Sequence, residues 1–265
     1  NRKYPSRFFW LDINDHGGGY YGIAQDDRSN ARISLPDLAS AIAAGSDRPV
    51  DLLSFDACLM ASTEVAYEMR NVAKVMVASE DESYAVGMNY DQTLEAMSNQ
   101  PTMNAATLGR DLVARVNPQA IFTVSAVDLT KADALAHAVD GLAGALLAAM
   151  PTQRASILKA LNAVKPFYVA GPNPASFNHR DLDEVVDQLR ANVSNPLVQA
   201  ACVRVKTALF NHGAIIVAHN VAAEQGAARG LSIYLPLDGQ IDPIYMNTAF
   251  AKATRWPAFL QALKP

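Results

Sequence analysis

The chain has 265 residues, half of them hydrophobic and 18% charged, with a formal net charge of −4. That length supports a sizeable core and the composition excludes a disordered chain. The acidic balance argues against a nucleic-acid partner, which would want a basic face. Two cysteines, Cys58 and Cys202, cannot build a disulfide framework, and no apolar run reaches the length of a membrane span.

After a polar lead-in, residues 8–14 read as a strand apolar enough to be buried on both faces, ending at Asp15-His16-Gly17-Gly18-Gly19. Residues 17–30 read as a loop closing in a polar run that contains Asp26, Asp27 and Arg28. Ser34-Leu35-Pro36-Asp37 opens a helix to about residue 44, stopped by Gly45-Ser46-Asp47. Residues 52–55 form the strand that carries Asp56 and Cys58, and a helical pattern is expected over 59–73. Residues 75–78 are a short β-branched strand, and 79–89 a loop rich in acids and small residues. Helices are expected at 90–97 and 105–116, with a strand at 120–127.

The alternation implies an α/β fold with a mostly parallel sheet and helices on both faces. Beyond residue 129 the texture turns Ala- and Leu-rich, with helices at 131–150, 153–164, 181–191, 196–210 and 250–263 and late strands at 215–218 and 231–235. We divide the chain into a catalytic α/β unit at 1–128 and a helix-rich subdomain at 129–265.

His16 and Cys58 each stand where a strand ends, the edge at which open parallel sheets collect ligands and catalytic groups. A thiolate nucleophile needs a lowered pKa, which a helix N-terminus just after Cys58 would supply. Gly17 leaves its backbone bare, so its N–H and that of Cys58 are the expected oxyanion donors. Cys202, among Val198, Ala201 and Val205, reads as core.

The blocks Asp15-His16-Gly17-Gly18-Gly19 and Phe55-Asp56-Ala57-Cys58-Leu59-Met60 resemble the His and Cys blocks of the clostripain family of cysteine peptidases, relatives of caspases, gingipains and legumains. Val77-Ala78-Ser79-Glu80-Asp81, Ser125-Ala126-Val127-Asp128-Leu129 and Gly230-Leu231-Ser232-Ile233-Tyr234-Leu235-Pro236 add support. The resemblance implies a caspase-like sheet and an endopeptidase cutting after Arg or Lys, with His16 as base and Cys58 as nucleophile. It implies a pocket for the basic residue at Asp56, whose side chain shares a strand face with Cys58; on the 79–89 loop Asp81, or less so Glu80 or Glu82, is our candidate for a second carboxylate. It further implies self-processing in the loop after the His, here after Arg28 or Arg32.

No cofactor is required by that chemistry. Some members depend on calcium, for which Asp26 and Asp27 are weak oxygen ligands beside the simpler reading of a solvated acidic turn. The expected partners are a peptide or protein substrate and a cleaved upstream segment of the same precursor, because relatives carry a strand before the His strand. The expected setting is secreted or extracytoplasmic in a bacterium. The rival reading is an inactive relative that binds peptides, against which the presence of both His16 and Cys58 weighs.

Overall fold

The structure, a computed structural model, describes residues 6–26, 28–29, 31–84, 87–117, 121–167, 178–222 and 228–264. Its centre is a five-stranded sheet of β1 (Trp10–Asn14), β2 (Val50–Asp56), β3 (Ala73–Ala78), β4 (Thr123–Asp128) and β6 (Ile216–Val221), in that spatial order. β1, β2 and β3 pair in parallel, while β4 runs antiparallel to both β3 and β6. Four strands therefore run one way and β4 alone runs the other.

Period-two alternation sorts the side chains of the inner strands between two layers. Leu52, Val75, Val77, Val124 and Ala126 pack under α3 (Tyr90–Asn99) and α4 (Ala105–Arg115). Leu53, Phe55, Met76, Ala78 and Val127 face the main core, covered by α1 (Leu35–Gly45), α2 (Thr63–Met69) and α5 (Ala132–Ala163). Gly109 lets α4 approach closely, since a Cβ there would press on Ala126 and Val75. A second ribbon pairs β5 (His179–Asp181) antiparallel with β7 (Ser232–Tyr234).

Three helices differ from the sequence reading. The helix expected at 59–73 shrinks to Thr63–Met69, because Leu59 to Ala61 are drawn out to bond neighbouring chain segments and Ser62 caps the start. The pair expected at 131–150 and 153–164 is one helix, α5, kinked at Gln153 just after Pro151, which has no N–H to give. The closing helix breaks into α8 (Ala249–Ala253) and α9 (Trp256–Ala262), with Thr254 extended between them and Pro257 in the new first turn. The loop expected at 165–178 lies largely outside the described residues.

α5 is long and apolar enough to cross a membrane by length and composition. It instead buries Leu135, Val139, Leu142 and Leu146 in the core, against α6 (Leu182–Asn192), α7 (Pro196–Phe210) and α9. Cys202 is buried in the same layer, as expected, and burial pushes its thiol up to about 12.

Candidate active site

The register of β1 on β2 brings the two motifs together. Asn14 lies opposite Asp56, and three residues on Gly17 packs against the Cys58 backbone, so the His16 and Cys58 segments leave the sheet at neighbouring strand ends. Gly17 makes the approach possible. A Cβ on it would overlap the Cys58 carbonyl oxygen and crowd Ala57 and the Cys58 nitrogen, so no other residue fits without moving the loop. Among the described residues neither the Gly17 nor the Cys58 N–H donates to another backbone carbonyl.

Cys58 is half-buried at the end of β2, and its sulfur faces Ser83. The Ser83 N–H donates to Sγ at 3.3 Å and the thiol donates to the Ser83 carbonyl at 3.6 Å. Burial raises the thiol pKa, partly offset by the Ser83 N–H, and the charges of Glu82 and Asp81 raise it further. This corrects the expectation of a helix N-terminus beside the sulfur. α2 begins only at Thr63, and Leu59 instead turns the chain sharply with φ of 63°. A buried, bulky residue at positive φ stores strain, here right next to Cys58.

His16 is exposed, and its ring makes no hydrogen bond among the described residues. Asp15 accepts the His16 backbone N–H at 2.6 Å, so it fixes the chain and leaves the imidazole free to turn. Asp12 does not orient the ring either: it bonds the Ser54 hydroxyl, and the Tyr90 hydroxyl at 3.0 Å.

Asp56 is the hub beneath the cleft. Its Oδ2 accepts from Asn14 Nδ2 at 3.3 Å, Met88 N at 3.0 Å and the Tyr90 hydroxyl at 2.8 Å. Its Oδ1 accepts from the Ser83 hydroxyl at 3.2 Å. Ser83 thus touches both Asp56 and Cys58. Gly87, at φ of 69°, lies against the same carboxylate, where a side chain would overlap it. Asp81 is buried in the neighbouring wall and its carbonyl accepts the Leu59 N–H at 3.2 Å. Glu80 is turned away from the cleft, with Oε2 on the Gly230 N–H at 2.7 Å.

The loop after His16 is folded back on itself. Ile23 bridges both Gly17 and Ile33, which ties the loop to the Cys58 turn. Arg28 is exposed near its tip, whereas Arg32 lies over the Tyr21 ring, bonds the Gln25 side chain and precedes the paired Ile33. Asp26 accepts the Arg28 N–H at 3.0 Å and the Ser29 hydroxyl at 2.5 Å, which lowers its pKa; Asp27 lies outside the described residues. No cluster of three His, Cys, Asp or Glu residues suited to a metal occurs among the described residues.

Sequence reasoning missed Ser83 and Tyr90 as site residues. Their signal was the density of polar residues just after β3, but nothing in the spacing said which would reach Cys58 or Asp56. It also missed that Leu59 takes a left-handed turn, since leucine is among the residues least expected there.

The sequence profile of the clostripain family, peptidase family C11, matches residues 1–262. No curated protein sequence matches the chain. Among solved structures, an inactive zymogen C11 protease from Parabacteroides distasonis is 18% identical, with a TM-score of 0.63 over 96% of this chain and 72% of that one. A secreted C11 cysteine protease from Bacteroides thetaiotaomicron, in complex with an irreversible peptide inhibitor, is 17% identical, with a TM-score of 0.64 over 97% and 75%. A clostripain from Bacteroides thetaiotaomicron bound to the peptide inhibitor BTN-VLTK-AOMK is 15% identical, with a TM-score of 0.53 over 87% and 98%. With the family profile spanning nearly the whole chain and a caspase-like sheet presenting a cysteine at a strand end, the chain belongs to the clostripain family and is a cysteine endopeptidase.

Proposed function

We propose that the enzyme cuts peptide bonds after Arg or Lys, with Cys58 as nucleophile and His16 as base. The observation that supports this is the pairing of β1 with β2 and the packing of Gly17 on Cys58, with Asp56 at the end of β2 lacking a cation partner among the described residues. His16 takes the Sγ proton as the sulfur attacks the scissile carbonyl carbon, and the carbonyl becomes an oxyanion facing the Gly17 and Cys58 N–H groups. Collapse of this intermediate expels the amine, which receives the proton from His16, and leaves an acyl-enzyme. Water, deprotonated by His16, then attacks the thioester, releases the carboxylic acid and restores the thiol. The scheme calls for no cofactor.

Specificity falls to Asp56, with the buried Asp81 in the wall beside it. A substrate guanidinium or ammonium would give Asp56 the charge partner it lacks. The peptide inhibitor on the Bacteroides clostripain ends in Lys, in keeping with this reading. A second role is favoured by the four neutral donors already on Asp56: holding the 83–90 segment to the sheet.

Self-processing belongs to the same proposal. Arg28 is the favoured site, because the bond after Arg32 is held in the Ile23–Ile33 pairing. We further propose an extracytoplasmic setting, in keeping with the secreted neighbour. The test is an acyloxymethyl ketone peptide ending in Arg or Lys, read by mass spectrometry. Label on Cys58, none on Cys202, and a new N-terminus at Ser29 that disappears in Cys58→Ala support the proposal. Labelling that ignores the terminal residue sinks the specificity, and an intact loop in fully active enzyme sinks the processing.

A further inference from the structure

Behind the catalytic turn lie two carboxyl groups the mechanism does not use. Glu80 follows β3 directly and Asp181 ends β5, a hundred residues away. Both are buried, and among the described residues no cation bonds either one. Each accepts a backbone N–H from the same short stretch: Glu80 Oε2 from Gly230 at 2.7 Å and Asp181 Oδ2 from Arg229 at 2.6 Å. Asp181 Oδ1 accepts the Glu184 N–H at 2.6 Å and caps α6.

The inventory of donors decides where the proton sits. Both Asp181 oxygens already face N–H donors, so Asp181 is built as the ionised acceptor. Glu80 Oε1 is buried with no donor of its own, the N–H groups that hold the two carboxyl groups belong to the consecutive residues Arg229 and Gly230, and the Asp181 charge acts on Glu80. Two acceptors in contact are repulsive unless a proton lies between them. We propose that Glu80 and Asp181 share one proton, with Glu80 as the donor, and that this bond positions residues 79–83 against the Cys58 turn.

The wall it would hold is the one that touches the nucleophile. The Ser79 carbonyl accepts the Ala61 N–H at 2.7 Å, the Asp81 carbonyl accepts the Leu59 N–H, and Ser83 meets the Cys58 sulfur. On the far side the Ser232 N–H donates to the Ala61 carbonyl at 2.9 Å, so the turn is gripped between segments 79–83 and 229–232. The Glu80–Asp181 bond ties those two segments to β5.

Burial and the neighbouring carboxylate hold the Glu80 pKa well above the ordinary carboxylate range, with Asp81 adding to it, while burial and Asp183 raise Asp181. The other charged groups on these elements are committed elsewhere. Asp183 pairs with Lys206, Arg180 bonds the carbonyls of Val164 and Leu235, and Arg229 and Lys165 act on Glu184. Raising the pH past the pair strips the shared proton, and the two carboxylates then push the wall from the turn.

Glu80→Gln separates the possibilities. Its amide oxygen accepts the Gly230 N–H while its NH2 donates to Asp181, so the bond survives with no proton to lose. Asp181→Asn instead turns an NH2 toward the Glu184 or Arg229 N–H. We expect the native enzyme to lose stability as pH rises above about 4 to 5, where unfolded carboxylates have already ionised, and to lose kcat/KM only at the higher pH where the folded pair gives up its proton. A proton bound only in the folded state costs up to about tenfold in the folding constant per pH unit.

Glu80→Gln should lack that slope and hold its kcat/KM to higher pH than the native enzyme. Asp181→Asn should fall at every pH by about tenfold or more, through the unsatisfied N–H. Identical stability slopes in native and Glu80→Gln enzyme would overturn the shared proton. A flattened slope with an unmoved pH profile of kcat/KM would overturn the positioning role. If Asp181→Asn fails to fold, Glu80→Gln alone decides. The inference rests on Cys58 as the reacting thiol and not on the basic specificity, and the stability readout needs no activity, so the two failures are told apart.

Discussion

Asp51 and Asp56 stand at opposite ends of β2 in different electrostatic surroundings. Asp51 bonds Lys74 at 2.7 Å, Arg48 at 2.6 Å and the Phe9 N–H at 2.9 Å. Burial works against its charge, but these partners outweigh it and hold its pKa below the usual range. Asp56, equally buried, has four neutral donors and no cation among the described residues. The same contrast runs through the molecule. At the catalytic end burial raises Asp12, Glu64 and Glu80, whereas Asp140 on the outer face of α5 is lowered by Arg255. One end of β2 pairs its carboxylate with cations, and the other satisfies its carboxylate with neutral donors alone.

The sharpest way to break that comparison is at the reacting atoms. Cys58→Ala and His16→Ala should each remove nearly all hydrolysis, by several orders of magnitude, and the double variant should be little worse because the pair acts as one unit. Substantial turnover in Cys58→Ala would leave the cleft without its chemistry. Next comes Asp56. Losing one partner of a desolvated charge pair costs about 2–5 kcal/mol, so Asp56→Ala should lower kcat/KM on Arg peptides by about 30-fold to several thousand-fold. Matched neutral peptides should lose far less. Asp51→Ala is the control from the other end of the strand. It should lower the melting temperature and leave the ratio of Arg to neutral substrates alone. An equal loss on both substrates in Asp56→Ala would make that carboxylate a brace for the 83–90 segment.

Glu64 tests the cost of uncompensated charge where no substrate reaches. It is fully buried on α2, accepts the Tyr234 N–H at 3.0 Å, and burial raises its pKa to about 7. A carboxyl raised in the folded state favours folding while protonated. Its contribution is therefore lost as pH climbs from the unfolded value near 4.5 through the folded value near 7. At about 1.36 kcal/mol per unit this is on the order of 3 kcal/mol. Glu64→Gln should be the more stable protein at pH 8 by that order, with the advantage gone below about pH 4.5. Denaturant melts at the two pH values settle it, and a gap independent of pH would mean that Glu64 ionises alike in the folded and unfolded chain.

The motifs and most strands along the chain were legible because each rests on local signals, although the short β5 was not expected. A run such as Val50–Asp56, buried along its whole length, can sit only inside a sheet, and Ser34 with Pro36 announces α1. The catalytic end was less legible because its bonds join residues far apart in the chain. Ser83 reaches Cys58 across 25 positions and Asp56 across 27, and no periodicity encodes such a meeting. The apolar run Leu59-Met60-Ala61 has helical spacing yet forms the gripped turn, since hydrogen bonds to segments 79–83 and 229–232 override local preference. His179, likewise, belongs to no motif in the sequence. It is fully buried against the Tyr20 ring, its Nε2 faces Gly19, and burial lowers its pKa to about 3, which keeps it neutral.

The smallest expected effect comes from the outer face of α5, where Asp140 pairs with Arg255. Asp140 bonds Arg255 through Nε at 3.0 Å and Nη2 at 2.7 Å, and its Oδ1 also accepts the Arg255 backbone N–H at 2.7 Å just before α9. Arg255 is more than half exposed, so the ion pair is screened and contributes at most about 1 kcal/mol. Arg255→Ala removes that pair and keeps the backbone bond, so its cost should shrink further in high salt. Asp140→Ala removes both and should cost more, with a remainder that salt does not touch. Asp140→Asn keeps an acceptor for the N–H and should fall between the two. The pH dependence must also run opposite to that of Glu64. A carboxyl lowered in the folded state stabilises above its unfolded pKa, and that share is lost as pH falls through the folded value. Melts of the three variants at low and high salt read both terms. If Arg255→Ala costs as much as Asp140→Ala and salt changes neither, the outer pair is a structural joint and the two carboxylates of β2 differ less than their partners suggest.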